Sequence, residues 1–175
     1  MITLEPYQLI DANFFPWRPI YLDVAQALST QISTSRIDVL HFGSTSAKVG
    51  GKGIIDLSIL YYQGERENTV AHLYALGFQD QHSDQPFPAH RPRKDASVTY
   101  QGERFLIHAH VIEKDSEEYH RQLAYKQHLL DNPDVRIKYE NTKHAILAQG
   151  VRDQDVYVKH KAPYVKDVLA KLNVK

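Results

Sequence analysis

Residues 37 to 60 constrain the fold more than any other stretch of the chain. They read IDVLHFGSTSAKVGGKGIIDLSIL: an apolar run, a Gly-Ser-Thr-Ser turn, a glycine- and lysine-bearing segment, and a second apolar run with one carboxylate, Asp56. Both runs are short and rich in β-branched residues, which predicts strands rather than helices. Gly43 ends the first strand, where the backbone needs a tight bend or close approach to a ligand. Ser44, Thr45 and Ser46 then offer hydroxyls and successive N–H groups at the mouth of the bend. Such a turn forms a nest for anions such as phosphate. Asp56 stands beside it, placed to hold a divalent cation that bridges phosphate oxygens.

Two common phosphate motifs fail on this stretch. A Walker A loop needs G-x-x-x-x-G-K-[ST] between a strand and a helix. Counting back from Gly51-Lys52 puts Ser46 at the first glycine, Gly53 follows the lysine, and a strand follows where a helix is needed. The dinucleotide fingerprint G-x-G-x-x-G fails because Thr45 holds its second glycine position. What remains is strand, Gly-Ser, variable loop, and strand with Asp, an order that resembles the nucleotidyltransferase superfamily core. His41-Phe-Gly-Ser-Thr-Ser46 followed by Lys52-Gly-Ile-Ile-Asp56 narrows the likeness: it resembles the signature of the GrpB family of bacterial proteins. His108-Ala-His110-Val111, Tyr139-x-x-x-Lys143 and Tyr157-x-x-x-Lys161 continue the match in the same order. The resemblance implies an α+β fold with a nucleotidyltransferase-like core, a small mixed sheet and a helical C-terminal half.

A chain of 175 residues fits one domain with a real core. We expect a single domain over 1–175, with the sheet core in 20–112 and the helical half, 113–175, packed on it. Lysine plus arginine, 21, balance aspartate plus glutamate, 21. Zero net charge predicts no bulk pull toward nucleic acid or membrane, so neither is an expected partner. Cysteine is absent, which excludes disulfides, thiolate metal sites and a cysteine nucleophile. The N-terminus lacks the basic and apolar regions of a signal peptide, and no stretch is long enough for a membrane span. The expected location is the cytoplasm.

Around the central motif, residues 1–19 read as an irregular arm packing through Leu9, Phe14, Phe15 and Trp17. Tyr21, Val24, Ala25, Leu28 and Ile32 recur at helical spacing within 20–34. A short helix over 67–75 stops at Gly77, and Phe78 begins a brief strand. Residues 79–97 read as a long polar connection whose Arg91, Arg93 and Lys94 suit either a solvated loop or a clamp on a triphosphate. A hairpin over 97–101 and 104–112 turns at Gly102-Glu103 and puts His108 and His110 on one face of its second arm. Three helices finish the chain. The first starts at an Asp115-x-x-Glu118 capping box. The second runs from Asn132-Pro133 to Gly150, and the third from about Asp153 to Leu172, bent or broken near Pro163.

Nucleotidyl transfer needs neutralised phosphate charge and an aligned acceptor hydroxyl. The superfamily pattern supplies Asp-x-[Asp/Glu] and a third acid on a neighbouring strand, yet Asp56-Leu57-Ser58 carries only the first acid. Asp56, His108 and His110 therefore form the candidate metal set, a carboxylate with two imidazoles that suits a divalent ion such as Zn or Mn better than Mg. Gly43, Ser44, Thr45 and Ser46, with Lys143 and Lys161 on the helical half, are the candidate phosphate contacts. Asp56 and Lys52 are the candidate catalytic pair. The resemblance thus implies a nucleotidyltransferase-like protein that takes a nucleoside triphosphate, or another small anion, with a divalent metal. The missing acid leaves open a binding module of the same fold or a metal-dependent hydrolase.

Overall fold

The computed structural model describes residues 1–172. In chain order the elements are β1 (Leu4–Glu5), α1 (Ile20–Ile32), β2 (Ile37–Phe42), a 3-10 turn (Ser44–Ser46), β3 (Ile55–Tyr61), α2 (Arg66–Leu76), β4 (Gln79–Asp80), β5 (Arg93–Tyr100), β6 (Glu103–Glu113), α3 (Glu117–Asp131), α4 (Pro133–Ala148) and α5 (Gln154–Lys171). The strands form one mixed sheet in the order β1-β5-β6-β3-β2, with β4 also on β5. β3 and β6 run parallel, and the other pairings are antiparallel. The fold is α+β, as expected, and no helix among the described residues is long and apolar enough to cross a membrane.

The period of two in β3 and β6 decides which face is which. Ile55, Leu57 and Ile59 of β3 and Ile107, Ala109 and Val111 of β6 point to one side, where they pack with Val24, Leu28 and Ile32 of α1 and Leu73 of α2. All five predicted apolar positions of α1 are buried. The alternate residues, Asp56 and Ser58 on β3 with His108 and His110 on β6, point to the side that α3 to α5 cover. That side has its own smaller apolar clusters, one around Leu129, Tyr139, Ala47 and Val49 and one around Tyr157, Ile146 and Ala12.

Four local readings differ from the structure. β5 begins at Arg93, not Ser97, so the last residues of the expected loop are strand. The charges there cancel in pairs, Arg93 with Asp95 at 2.8 Å and Lys94 with Asp80 at 2.7 Å, which lets a polar run sit in the sheet. The cap of α3 is Ser116, whose Oγ accepts from Tyr119 N, and Asp115 has a positive φ of 61° just before it. The N-terminal arm contributes β1, while Leu9 and Phe15 stay largely exposed. Pro163 lies inside α5 without dividing it. Trp17 packs against the main core and donates through Nε1 to the Thr45 carbonyl at 2.7 Å, so the arm braces the turn.

Candidate active site

Strand register assembles the site. Phe42 on β2 lies opposite Asp56 on β3, Asp56 opposite His108 on β6, and His108 opposite Asp95 on β5. One row along, Leu40, Ser58, His110 and Arg93 face one another in the same way. Directly opposed residues share a sheet face, so both rows look toward the helical half. There Phe42, Asp56, His108, His110 and Arg93 floor a cleft of about 740 Å³ that also touches the Gly43–Thr45 turn, the 81–91 loop and α3 to α5.

Across the two rows, His110 Nε2 is 3.1 Å from Asp56 Oδ1, and within the first row His108 Nδ1 is 3.7 Å from it. One ligand atom from each of the three residues lies within 4.8 Å of the others. Tyr7 Oη bonds His108 Nε2 at 3.0 Å, which leaves Nδ1 turned to the carboxylate. Burial pushes the Asp56 carboxyl up, but the His110 hydrogen bond and the fields of His110 and Lys161 outweigh it, so it is held well below the usual range. Burial, reinforced by Arg93, drives His108 far below the ordinary histidine value and keeps it neutral. Burial beside Asp95 pushes the Tyr7 hydroxyl up to about 12.

The donor set fits a divalent transition metal. One anionic oxygen and two neutral imidazole nitrogens match zinc or manganese better than magnesium. The Tyr7 bond supplies the outer partner that orients a ligating histidine. Asp56, His108 and His110 would hold the ion.

Gly43 adopts φ 74°, and a Cβ there would stand 2.9 Å from Asp56 Oδ2. Only glycine satisfies both the backbone and the carboxylate beside it. The turn's own bonds begin at Ser46 N, which leaves the Ser44 and Thr45 N–H groups outside its ladder. Lys143 of α4, 2% exposed, donates to Ser44 Oγ at 2.5 Å and to the Gly50 carbonyl at 3.0 Å. Lys52 and Lys161 lie on the Tyr157 ring, 4.9 and 5.9 Å from its centre.

Among the described residues, Lys52, Arg91, Arg93, Arg121, Lys143, Lys159, Lys161 and Lys166 line the cleft against Asp56 and Glu118. Eight of the 21 lysines and arginines of a chain with zero net charge thus line one cleft.

The GrpB protein family matches residues 11–171. This chain belongs to the GrpB family. Among its curated relatives, it is 27% identical over 147 residues to UPF0157 protein SCO7215 of Streptomyces coelicolor, covering 81% of this chain and 71% of that protein. It is 26% identical over 160 residues to UPF0157 protein PA4798 of Pseudomonas aeruginosa, covering 89% of this chain and 63% of that one. Its fold is similar to that of Cid1 in complex with the UTP analog UMPNPP, with a TM-score of 0.53, 16% identity, and coverage of 75% of this chain and 42% of the other. The Cid1 poly(U) polymerase crystal structure aligns with the same TM-score and coverage at 15% identity. At these identities the likeness shows a nucleotidyltransferase-like fold alone, and the GrpB chain spans less than half of the Cid1 chains.

The GrpB site departs from the superfamily pattern at Ser58. Its hydroxyl points to the same side of the sheet as Asp56 but is fully buried and donates to Gln122 Oε1 of α3, so a buried neutral pair stands where the second acid would be. Thr45 and Ser46 turn their hydroxyls inward, Thr45 to His41 Nε2 at 2.8 Å and Ser46 to the Gly43 carbonyl at 2.7 Å. Thr45 lines the cleft, while Ser46 is buried and does not. Lys94 bonds Asp80 and Tyr74 and does not line it. Sequence reasoning missed Tyr7, Asp95 and Gln122. Only Asp95 left a signal, because Arg93-x-Asp95 alternates as a strand does. Tyr7 and Gln122 come from elements whose docking no local pattern announces.

Proposed function

We propose that this GrpB protein binds a nucleoside triphosphate over Asp56 and transfers its nucleotidyl group to an acceptor, with a divalent transition metal at Asp56, His108 and His110. The observation that carries this reading is the meeting of that carboxylate–imidazole set with the Gly43–Ser44 turn in a cleft crowded with basic side chains. Ser44 and Thr45 N–H groups receive phosphate oxygens, and Lys52, Lys143 and Lys161 neutralise their charge. When bound, the metal polarises a phosphoryl oxygen. Aligned phosphate and acceptor allow the acceptor oxygen to bond the α-phosphorus as the bond to pyrophosphate breaks, with the acceptor proton passing to water. Fold-level support comes from Cid1, whose structures hold a UTP analog or Mg and 3'-dATP. Because Cid1 is a poly(U) polymerase and basic side chains outnumber acidic ones in the cleft's lining among the described residues, a nucleic-acid end stays among the candidate acceptors despite the zero net charge.

The Ser58–Gln122 pair favours a second reading, a module of the same fold that binds nucleotide without transferring it. One experiment separates the two. Wild-type protein and Asp56→Ala are incubated with each ribonucleoside triphosphate and Mn²⁺ or Zn²⁺, following binding by calorimetry and pyrophosphate by a coupled assay. Transfer predicts pyrophosphate release that Asp56→Ala abolishes. Binding without release selects the module, and absence of binding with every nucleotide rejects both.

A further inference from the structure

Arg93 has a role that nucleotide binding alone leaves unused. Its Nε and one terminal nitrogen, Nη2, grip the two oxygens of Asp95 at 2.8 and 3.0 Å. Asp95 is fully buried and also accepts from His82 N at 3.3 Å. The guanidinium is thus locked in one orientation by a carboxylate that cannot move into water. Among the described residues Nη1 makes no hydrogen bond, so the end-on edge formed by Nη1 and the second N–H of Nη2 stays open. That edge has the geometry that takes two oxygens of a phosphate or carboxylate at once. Arg93 lines the cleft and lies opposite His110 in the β5–β6 register.

Position distinguishes this group from the phosphate cradle. Lys143 contacts Ser44 beside β2 and β3. Arg93 sits on β5, two strands beyond β3, roughly 10 Å away at usual strand spacing. The Asp56, His108 and His110 set lies between. Phe87 of the 81–92 loop packs edge-on against His110 at 5.2 Å and carries Arg91 over its ring at 5.5 Å, which walls this end of the cleft with a second cation. Anion sites flanking a candidate metal set are what a two-substrate reaction needs, one for each partner.

We infer that Arg93, held by Asp95, is the docking group for an anionic second substrate, a small molecule bearing a phosphate or carboxylate, on the side of the metal set away from the Gly43–Ser44 turn. This rests on the reading of that turn as the nucleotide cradle. A rigid fork prepaid by a buried partner loses little entropy on binding, so the acceptor is selected by its charged group before its hydroxyl is aligned.

The test uses the full chain loaded with Mn²⁺ and the α,β-imido analogue of UTP, then titrated with inorganic phosphate and, separately, acetate. Removing Arg93 alone strands a buried carboxylate, so the main variant is the double change Arg93→Gln/Asp95→Asn, with Arg93→Lys as a folded control that keeps charge but lacks the fork. The expected result is a phosphate or acetate site in the wild type, at least tenfold weaker in the double variant and weakened in Arg93→Lys, with analogue affinity unchanged within twofold. The stronger of the two probes identifies the charged group. Unchanged anion binding in the double variant overturns the inference. So does an equal loss of analogue affinity, which would assign Arg93 to the triphosphate. If the wild type does not bind the analogue, the cradle reading fails separately, and titration of nucleotide-free protein decides Arg93 by comparing the double variant with Lys143→Met. An anion site lost only in Lys143→Met rejects the Arg93 site.

Discussion

Lys143 Nζ donates to Ser44 Oγ at 2.5 Å across 99 positions of sequence. The contact ties α4 to the turn between β2 and β3 and puts a buried amine behind the candidate phosphate cradle. Burial, with repulsion from Lys161 and Lys52, pushes this ammonium well below the ordinary lysine value. An arriving anion favours the charged form and raises that value again.

The first prediction is that binding of inorganic triphosphate takes up protons and weakens as pH rises. Calorimetry in buffers of different ionisation enthalpy measures the uptake directly. In Lys143→Met the uptake should shrink and affinity at neutral pH should fall at least tenfold, about 1.4 kcal/mol. Equal uptake in the variant would remove Lys143 from the cradle.

The second concerns the metal set. Zinc or manganese should bind the wild type with one site per chain and fail to bind Asp56→Ala or His110→Ala. Tyr7→Phe removes only the bond that orients His108, and its metal affinity should drop about 10- to 100-fold, the usual effect of losing an outer partner. Affinity should fall as pH drops, because protons compete for imidazole nitrogen. Wild-type affinity in Asp56→Ala would end the assignment.

The third tests the turn. Gly43→Val places a branched side chain at φ 74° with its Cβ 2.9 Å from Asp56 Oδ2. We expect urea denaturation to show a loss of about 1–3 kcal/mol for the strained residue, with far-ultraviolet circular dichroism little changed. Metal and triphosphate titrations should show no binding, since the Asp56 carboxylate must move. Intact binding would show that the turn tolerates a side chain and does not approach ligand.

The fourth is a pH effect on stability. Burial, aided by Lys126, lowers His41 to about 4. The folded state keeps it neutral while the unfolded chain takes a proton below about 6.5. Unfolded protein therefore binds more protons between these values, and stability falls as pH drops from about 6.5 to 4, by up to about 3 kcal/mol. His108, depressed by burial, contributes with the same sign. Asp56, held low in the fold, loses its contribution only below the usual carboxylate range. Denaturation curves of the wild type and His41→Gln, taken across this range, should differ in slope. Parallel curves would show that His41 titrates normally.

Sequence alone determined the parts of this protein whose cause is local. The strand–turn–strand of 37–60 follows from two β-branched runs and a glycine. The helix faces follow from apolar spacing, and His108 and His110 share a face because a strand repeats every two residues. Even Gly43 was legible, since a positive φ is a property of one residue. Tertiary structure decided what meets what. The parallel pairing of β3 with β6 sets Asp56 opposite His108, and the antiparallel pairing of β5 adds Asp95 and Arg93 to the same rows. A shift of one residue would turn every one of these side chains to the opposite face, and that register is set by the summed burial of Ile55, Leu57, Ile107 and Ala109 against α1 and α2, not by the site residues themselves. The Arg93–Asp95 pair turned an expected loop into strand, and the docking of α3 gave Ser58 its Gln122 partner. Such contacts join residues far apart in sequence, where spacing carries no information, and only the packing of the whole chain brings them together.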